Sequence, residues 1–300
     1  VSGGIDSAVN AALYRSILPA ENILLVNTPT RYNSELTKGL AAELAKNLGC
    51  QLLTVPIGDF IDETADALEG LPLPDDTVHL TGFMKENMQA RDRSSRILAA
   101  LSAAFGGIFT CNANKTETTV GYGTLYGDLA GAFAATADLW KYQIYDLGRK
   151  LNAWYGRAVI PEGIFTVMPS AELSENQDVT QGKGDPLIYE YHDYLFRSFI
   201  EPWQRQTPED ILKAYAKGNL EDLIGCSIIV SNIFPTAKDF IEDLEKWWNL
   251  FSGFAVAKRI QTPPLLAVSR RPYGYDLRES QLRPYYTDAY LSLKEKLLAD

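Results

Sequence analysis

The chain of 300 residues is 46% hydrophobic and 22% charged and has no low-complexity tract, which excludes a disordered or fibrous protein. Its formal net charge of −10 disfavours nucleic acid as a partner, because polyanions are bound by clustered lysine and arginine side chains. It has neither an apolar run near the roughly 20 residues that cross a bilayer nor a signal-peptide pattern, so we predict a cytoplasmic protein without membrane contact.

Helices and strands alternate in the first part of the chain. Hydrophobic periodicity and turn residues predict a helix over 7–18, a strand over 22–27, a helix over 34–48 and a strand over 51–56. Such alternation is typical of a parallel sheet covered by helices, so we predict an α/β fold with a doubly wound parallel sheet. Because the chain begins on a glycine-rich turn of the kind that follows a strand, we also expect an upstream strand before Val1.

The middle of the chain predicts a long helix over 87–105 and then a short apolar strand over 108–111. The loop after this strand is expected to bind a ligand, because open α/β sheets bind ligands beyond the carboxyl ends of their strands.

From about residue 161 the pattern changes to helices and loops. Thr207 followed by Pro208 predicts the start of a helix that runs to about 217, and a second amphipathic helix is predicted over 236–251. We predict one domain over 1–300, with an α/β core in 1–160 and a helical C-terminal extension in 161–300.

The opening residues predict a binding site for an anion. Gly3 and Gly4 let the backbone approach a phosphate closely, the helix that follows presents free N–H groups, and Ser2 and Ser7 add hydroxyl donors. Asp6 would repel an anion unless a divalent cation lay between them, which implies Mg²⁺. The alternative is a turn in which Asp6 and Ser7 only cap the helix.

Together, Ser-Gly-Gly-x-Asp-Ser resembles the pyrophosphate loop of the ATP pyrophosphatase superfamily, which has an adenine nucleotide α-hydrolase-like fold. Three further segments resemble the NAD synthetases within it: Glu-Asn-x-Gln-Ala-Arg at 86–91, Asn-Lys-Thr-Glu at 114–117, and the run 120–131. The resemblance covers most of the chain and continues at Asp138, Lys141, 169–173, Lys258 and Arg259.

The resemblance implies a ligase that converts deamido-NAD, ATP and ammonia to NAD, AMP and pyrophosphate through an adenylated nicotinate. It assigns Asp6 and Lys141 to catalysis, and Asp6 and Glu117 to Mg²⁺. The residues implied to bind ATP are Ser2, Gly3, Gly4, Asp6, Ser7, Asn112, Lys141 and Ser170. The residues implied to bind the dinucleotide are Asn87, Arg91, Arg93, Glu117, Asp128, Lys258 and Arg259.

Each of these residues also has a plainer interpretation. Glu117 and Lys141 can be solvated charges, and the loop 174–185, expected to be mobile and to close over ATP, can be an ordinary surface loop. Asn87, Arg91 and Arg93 can be helix-capping residues and surface charges, and Lys258 and Arg259 can form a salt-bridged helix end. Asn112 and Ala113 depart from the family's Thr-Gly, which leaves the nucleotide contact there open.

Two rival functions remain at this point. One is another pyrophosphate-loop ligase, such as a GMP-synthetase-like or tRNA-modifying enzyme, which the acidic charge and the run 120–131 disfavour. The other is a nucleotide-binding module without catalysis, which the presence of Asp6, Glu117 and Lys141 disfavours.

The source of ammonia and the oligomeric state are expectations from the resemblance. Cys50, Cys111 and Cys226 lie far apart in no nucleophile setting, so we interpret them as reduced, buried packing residues and expect these residues alone to use free ammonium. The C-terminal half resembles the glutamine-dependent branch, so we expect a nitrilase-like glutaminase domain upstream. We also expect a homodimer or larger homo-oligomer, partly because the helix around 99–104 is rich in small residues.

Overall fold

The computed structural model describes residues 1–174, 177, 179–273 and 284–299. In its N-terminal third, helices flank a parallel pair of short strands in which Leu24 lies opposite Gln51. Each predicted element is present here, with slightly different bounds. The elements are α1 (Ile5–Arg15), β1 (Leu24–Asn27), α2 (Glu35–Leu48), β2 (Gln51–Thr54) and α3 (Gly58–Leu68).

The sheet of the described residues has these two strands alone. The strand predicted over 108–111 is wrong: Cys111 donates its N–H to Phe133 O, and Phe109 O accepts from Ala132, but two such bonds are too few for a ladder. The amino group of Val1 donates to Val26 O, so the residue that opens the phosphate loop lies alongside β1. The structure therefore confirms a parallel α/β arrangement, and the doubly wound sheet stays a prediction.

The long helix predicted over 87–105 is divided into three parts. It begins earlier than predicted because the Thr81 side chain accepts from Met84 N–H at 3.3 Å and caps the first turn. It ends where Gly106 adopts a left-handed φ of 76°. The parts are α4 (Gly82–Arg91), a π-helical stretch (Asp92–Leu98) and α5 (Ala99–Phe105).

Helices make up most of the remainder. The cap predicted at Thr207 is confirmed, since its side chain accepts from Asp210 N–H. Thr236 likewise accepts from Asp239 N–H at the start of the other predicted helix. The helices are α6 (Lys115–Val120), α7 (Lys141–Tyr155), α8 (Glu162–Thr166), α9 (Tyr189–Ile200), α10 (Pro208–Lys217), α11 (Leu220–Ile224), α12 (Val230–Ile233), α13 (Ala237–Ser252), α14 (Ala255–Gln261) and α15 (Asp288–Ala299).

Two hydrophobic cores meet at the start of α7. The N-terminal core is built from α1, α2, α7 and α8 and includes Ile144 and Leu151. The C-terminal core is built mainly from α9, α10 and α13 and includes Trp140, immediately before α7. Lys141, the first residue of α7, therefore lies where the two cores adjoin.

The three cysteines, Cys50, Cys111 and Cys226, are free and buried, as predicted. Burial raises the pKa of Cys111 to about 12, so its thiol stays protonated and is a poor nucleophile. In the part of the chain that the structure describes, no helix is both long and apolar enough to span a bilayer.

Candidate active site

The loop before α1 is folded on itself by its own serines. Ser2 N–H donates to Ser7 Oγ at 3.1 Å, Gly4 N–H donates to Ser2 Oγ at 3.2 Å, and Ser7 Oγ donates to Gly4 O at 3.2 Å. No side chain caps α1, so the first N–H groups of this helix remain available to an anion. The loop is thus shaped as a cradle in advance of any ligand.

Gly3 fits this loop against the first turn of α2. Its φ is +93°, and a Cβ at this position would lie 2.1 Å from Thr37 O, which is a severe steric clash. Gly4 is under no such restraint, since a Cβ there would meet only Ser2 Oγ, at 3.4 Å. Gly3 is therefore required by packing inside the protein, whereas a side chain at Gly4 would project toward the hydroxyl side of the loop.

Lys141 joins the loop to α6. Its ammonium donates to Asp6 Oδ2 at 2.6 Å and to Glu117 Oε1 at 3.4 Å. Asn114 connects the same two carboxylates: its Nδ2 donates to Asp6 Oδ1 at 2.9 Å, while it forms a capping box with Glu117 at the start of α6. Four side chains from three parts of the chain therefore meet beside the phosphate loop.

Carboxylates outnumber cations in this cluster. Burial, and then repulsion from Asp6, raise the pKa of Glu117 to about 8 against the opposing attraction of Lys141; Asp185 adds to the rise. Burial would lower the pKa of Lys141, but attraction to Asp6 and Glu117 outweighs it and raises the pKa above the ordinary lysine value. Lys141 is thus a permanent cation among acids that it does not fully neutralise.

Two tyrosines bring Asp185 to the same place. Tyr122 and Tyr189 donate their hydroxyls to the two oxygens of Asp185, each at 2.9 Å, and the Tyr189 ring lies 4.7 Å from the Lys141 ammonium. Sequence reasoning did not assign Asn114, Asp185 or Tyr189 to the site, although Asn114 belongs to the Asn-Lys-Thr-Glu segment and Asp185 ends the loop that was expected to close over ATP. Tyr189 had no sequence signal, because it reaches the cluster only through the fold.

The arrangement fits a divalent cation held jointly with substrate. Asp6 and Glu117 converge on one ammonium, and burial beside surplus negative charge favours an added cation. Among the described residues no three acidic, His or Cys side chains form a protein-only metal site. Mg²⁺ is commonly held by one or two carboxylates and completed by phosphate oxygens and water, so two carboxylates suffice.

Asn112 and Ser170, both predicted to bind ATP, form no hydrogen bond with the Lys141 cluster in the described part of the chain. Asn112 is half-buried. Ser170 is engaged within its own loop, donating to Gln177 O at 2.7 Å and accepting from Glu172 N–H at 3.1 Å. Ala113 lacks a positive φ, so this position has no need of the family's glycine.

The α4 residues predicted to bind the dinucleotide line one side of the fold. The Asn87 side chain accepts from Thr124 Oγ1 at 2.9 Å, and Arg91, which is exposed, donates to Leu125 O at 3.1 Å. Arg93, in the π-helical stretch, donates to Thr28 O just beyond β1 at 3.3 Å. Asn87 and Arg91 thus contact the 120–131 run, while Arg93 turns toward the end of the strand.

The remaining three predicted residues do not share one environment. Asp128 is exposed and accepts from Thr124 N–H at 2.8 Å, and the half-buried Lys258 donates to Gly121 O at 2.7 Å. The Arg259 guanidinium is buried and donates to Phe251 O at 2.9 Å and to Thr119 O. Arg259 therefore lies in the packing between α6 and α13, and its implied role at the dinucleotide site stays a prediction.

Lys115, in the Asn-Lys-Thr-Glu segment, is wholly buried away from solvent. Its ammonium contacts Asp138 Oδ1 at 2.9 Å, Glu201 Oε1 at 3.2 Å, Ser269 Oγ at 2.8 Å and Arg271 O at 3.0 Å. Asp138 also accepts from Ser269 N–H at 2.6 Å. The Asn-Lys-Thr-Glu segment therefore supplies the site residues Asn114 and Glu117. It also supplies a structural cluster of contacts around Lys115, which we call the clamp.

Comparison with known proteins is consistent with this geometry. Residues 1–224 match the family model described as NAD synthase. The glutamine-dependent NAD(+) synthetase of Thermotoga maritima is 39% identical over 214 residues, which are 70% of this chain and 35% of that protein. Two solved structures are also similar. NMN synthetase from Francisella tularensis has 25% identity and a TM-score of 0.55, and the match covers 75% of this chain and 81% of that one.

The second structure is the glutamine-dependent NAD+ synthetase of Acinetobacter baumannii in complex with ADP. It has 26% identity and a TM-score of 0.50, and the match covers 95% of this chain and 45% of that one. The chain therefore spans less than half the length of the two glutamine-dependent proteins.

Proposed function

Because the chain belongs to the NAD synthase family, we propose that it converts deamido-NAD, ATP and ammonia to NAD, AMP and pyrophosphate. One observation carries the proposal: the ammonium of Lys141 and the carboxylates of Asp6 and Glu117 meet beside a loop shaped to hold a phosphate chain. A carboxylate needs activation before ammonia can displace its oxygen, and transfer of AMP to that oxygen supplies the leaving group.

The proposed reaction has two steps. The nicotinate carboxylate first attacks the α-phosphorus of ATP, forming a carboxyl–phosphate bond as the bond to pyrophosphate breaks. Ammonia then attacks the activated carbonyl carbon, loses a proton and expels AMP. The N–H groups at the start of α1 and the ammonium of Lys141 offset the negative charge that builds up on the phosphate oxygens.

Asp6 and Glu117 would hold Mg²⁺ in this scheme, and the metal would neutralise phosphate charge when bound. Asp6 also orients Lys141 through its 2.6 Å ion pair, and Asn114 holds Asp6 from the other side. The contacts of Asn87, Arg91, Asp128 and Lys258 support a dinucleotide site along α4 and the 120–131 run, whereas Arg93 contacts the end of β1. Ser170 and Asn112 would reach ATP by a rearrangement of their loops.

The wider organisation is part of the same proposal. Residues 1–300 form one synthetase domain with a nucleotide-binding core in 1–160 that is built on a doubly wound parallel sheet. The protein acts in the cytoplasm, where buried free cysteines remain reduced. It forms a homodimer, and a glutaminase domain like that implied by its glutamine-dependent relatives supplies ammonia.

Product analysis tests the reaction. With deamido-NAD, ATP, Mg²⁺ and ammonium, we expect NAD, AMP and pyrophosphate in equal amounts, and glutamine should not replace ammonium for residues 1–300. Formation of ADP and phosphate would contradict adenylation. Nicotinate mononucleotide should be assayed in parallel, because one structural neighbour is an NMN synthetase; a clear preference for it would replace the dinucleotide as the proposed substrate.

A further inference from the structure

Glu172 combines burial, charge and an unusual backbone conformation. Its exposed fraction is 3%, and its φ is +46°, a left-handed conformation that a side chain other than glycine rarely adopts. Tyr126 is the other non-glycine residue with a positive φ in the described ranges. Such a conformation persists only where neighbouring contacts hold it, and in Glu172 the carboxylate makes such contacts.

Those contacts lie at the N-terminus of α2. Oε1 of Glu172 accepts from Ser34 N–H at 3.1 Å, and Oε2 accepts from Thr37 Oγ1 at 2.7 Å and from Asn33 Nδ2 at 3.3 Å. A carboxylate is favoured here because the first N–H groups of a helix carry partial positive charge. The carboxylate, 135 residues from Thr37 in sequence, is thus bound across the fold to the first turn of α2.

The opposite side of that turn supports the phosphate loop. Gly3 packs so closely on Thr37 O that it has no room for a Cβ. The amide oxygen of Asn33 accepts from Arg93 Nη2 at 3.3 Å, so the guanidinium at the end of β1 is linked to the same turn. A displacement of the turn would therefore move the backbone on which the phosphate loop rests.

Glu172 also belongs to the segment that carries Ser170. Its own N–H donates to Ser170 Oγ at 3.1 Å, and the next residue, Leu173, accepts from Gln89 Nε2 of α4 at 2.9 Å. The Gln89 bond is made by the backbone of Leu173 and does not involve the Glu172 carboxylate. The Glu172 carboxylate thus links segment 170–173 to the first turn of α2, beside the phosphate loop. Gln89 links the same segment to α4, beside the proposed dinucleotide site.

We propose that Glu172 is a positioning residue: through the first turn of α2, it holds segment 170–173 in a fixed position relative to the phosphate loop. It therefore affects the binding of ATP and not that of the dinucleotide. The inference rests on the proposed function. Its residues lie outside the cluster of Asp6, Lys141 and Glu117, so they act on ATP through backbone positions.

Two replacements separate the carboxylate from the backbone strain. Glu172→Gly removes the carboxylate at a φ that glycine adopts freely, and Glu172→Ala removes it while keeping the strain. We expect both to raise KM for ATP by about tenfold or more, the scale of a lost charge-assisted hydrogen bond, and to leave KM for deamido-NAD within about twofold. Glu162→Gln, on the exposed face of α8, is the matched control and should change neither value.

Thr37→Val provides the reciprocal test, since it removes the hydroxyl donor and keeps the side-chain shape. It should raise KM for ATP in the same direction, with little further change in the double variant with Glu172→Gly. An unchanged KM for ATP in folded Glu172→Gly would overturn the inference. So would equal rises in KM for ATP and for deamido-NAD that parallel a loss of thermal stability. Calorimetric binding of Mg-ATP to the same variants tests Glu172 even if the wild type forms no NAD, which would refute the proposed function instead.

Discussion

Lys115 and Lys141 are both buried lysines with two carboxylate neighbours, yet their surroundings differ. The side chains of Lys115 and its partner Asp138 are both 0% exposed, and a hydroxyl and a backbone carbonyl complete the acceptors around the ammonium. The second carboxylate beside Lys115, that of Glu201, is 23% exposed. The side chain of Lys141 is 3% exposed and its partners Asp6 and Glu117 are 21% and 16% exposed, but here Asp185 adds a third carboxylate to the surroundings of one ammonium.

The difference shows that burial of a charge does not by itself mark a functional site. A buried ion pair whose hydrogen bonds are all satisfied fixes elements of the fold, as Lys115 fixes α6 to the segment around Ser269. A cluster with unbalanced charge, open on one side and adjoining an anion cradle, is prepared for charges that arrive with substrate. Lys141 fits the second description.

The largest expected effect is loss of turnover in Asp6→Asn. The amide keeps the shape of the side chain but removes the ion pair with Lys141 and a proposed Mg²⁺ ligand, so kcat should fall by about 10³ or more. Thermal unfolding should change much less than kcat, because the amide oxygen can still accept from Asn114 and Lys141 keeps Glu117 as a partner. Asp146→Asn, on the exposed face of α7, is the control for a charge change nearby. Turnover near that of the wild type would show that the contacts of Asp6 with Asn114 and Lys141 are only structural.

The next effect is on stability, at the other lysine. Lys115→Met leaves Asp138 buried without its cation, and removal of one partner of a buried pair costs about 3–5 kcal/mol of unfolding free energy. Chemical denaturation should show this loss, while Lys150→Met on the exposed side of α7 should stay within about 0.5 kcal/mol of the wild type. A loss below about 1 kcal/mol would show that the clamp is not structural.

The smallest effect is a pH dependence of the same clamp. Burial opposes ionisation of Asp138, but hydrogen bonds from Lys115 and Ser269 outweigh it and hold the pKa of Asp138 below its ordinary value of 3.8. The clamp therefore stabilises the fold above that pH, and the contribution is lost as pH falls through the lowered pKa.

Denaturation of the wild type as the pH is lowered below about 4 should show stability falling with pH, by up to about 1.4 kcal/mol per pH unit for one proton. In Lys115→Met the burial of Asp138 is still opposed by the hydrogen bonds from Ser269 but no longer by an ammonium, so its share of the slope should become smaller. Parallel slopes in the two proteins would show that Lys115 does not set the ionisation of Asp138.

Local signals in the sequence predicted much of this structure. The glycine turn predicted the turn before α1, the cap Thr207 predicted one helix start, and periodicity predicted the helix over 236–251 and the elements around β1 and β2. These features depend on residues a few positions apart. The residues around 108–111 failed as a strand because strand formation depends on partners that an apolar run does not reveal.

Long-range contacts account for what sequence reasoning could not reach. Lys115 and Glu117 stand two positions apart in one motif, but Lys115 meets Ser269, 154 residues away, whereas Glu117 meets Lys141. The burial of Arg259 between two helix ends and the link from Glu172 to Thr37 likewise arise only when distant elements pack. The Asn-Lys-Thr-Glu motif could be identified from sequence, but tertiary packing decides that Lys115 is structural and that Glu117 lies in the site.

The most direct test is a single-turnover measurement of adenylation in Lys141→Met and Lys115→Met, using ATP labelled at the α-phosphate and deamido-NAD without ammonia. We predict that Lys141→Met forms the adenylate at least about 100-fold more slowly while remaining folded, because it lacks the cation that offsets phosphate charge. Lys115→Met, assayed where it is still folded, should stay within about threefold of the wild-type rate. A wild-type rate in Lys141→Met, or an equal loss in both variants, would contradict the division between a catalytic and a structural lysine.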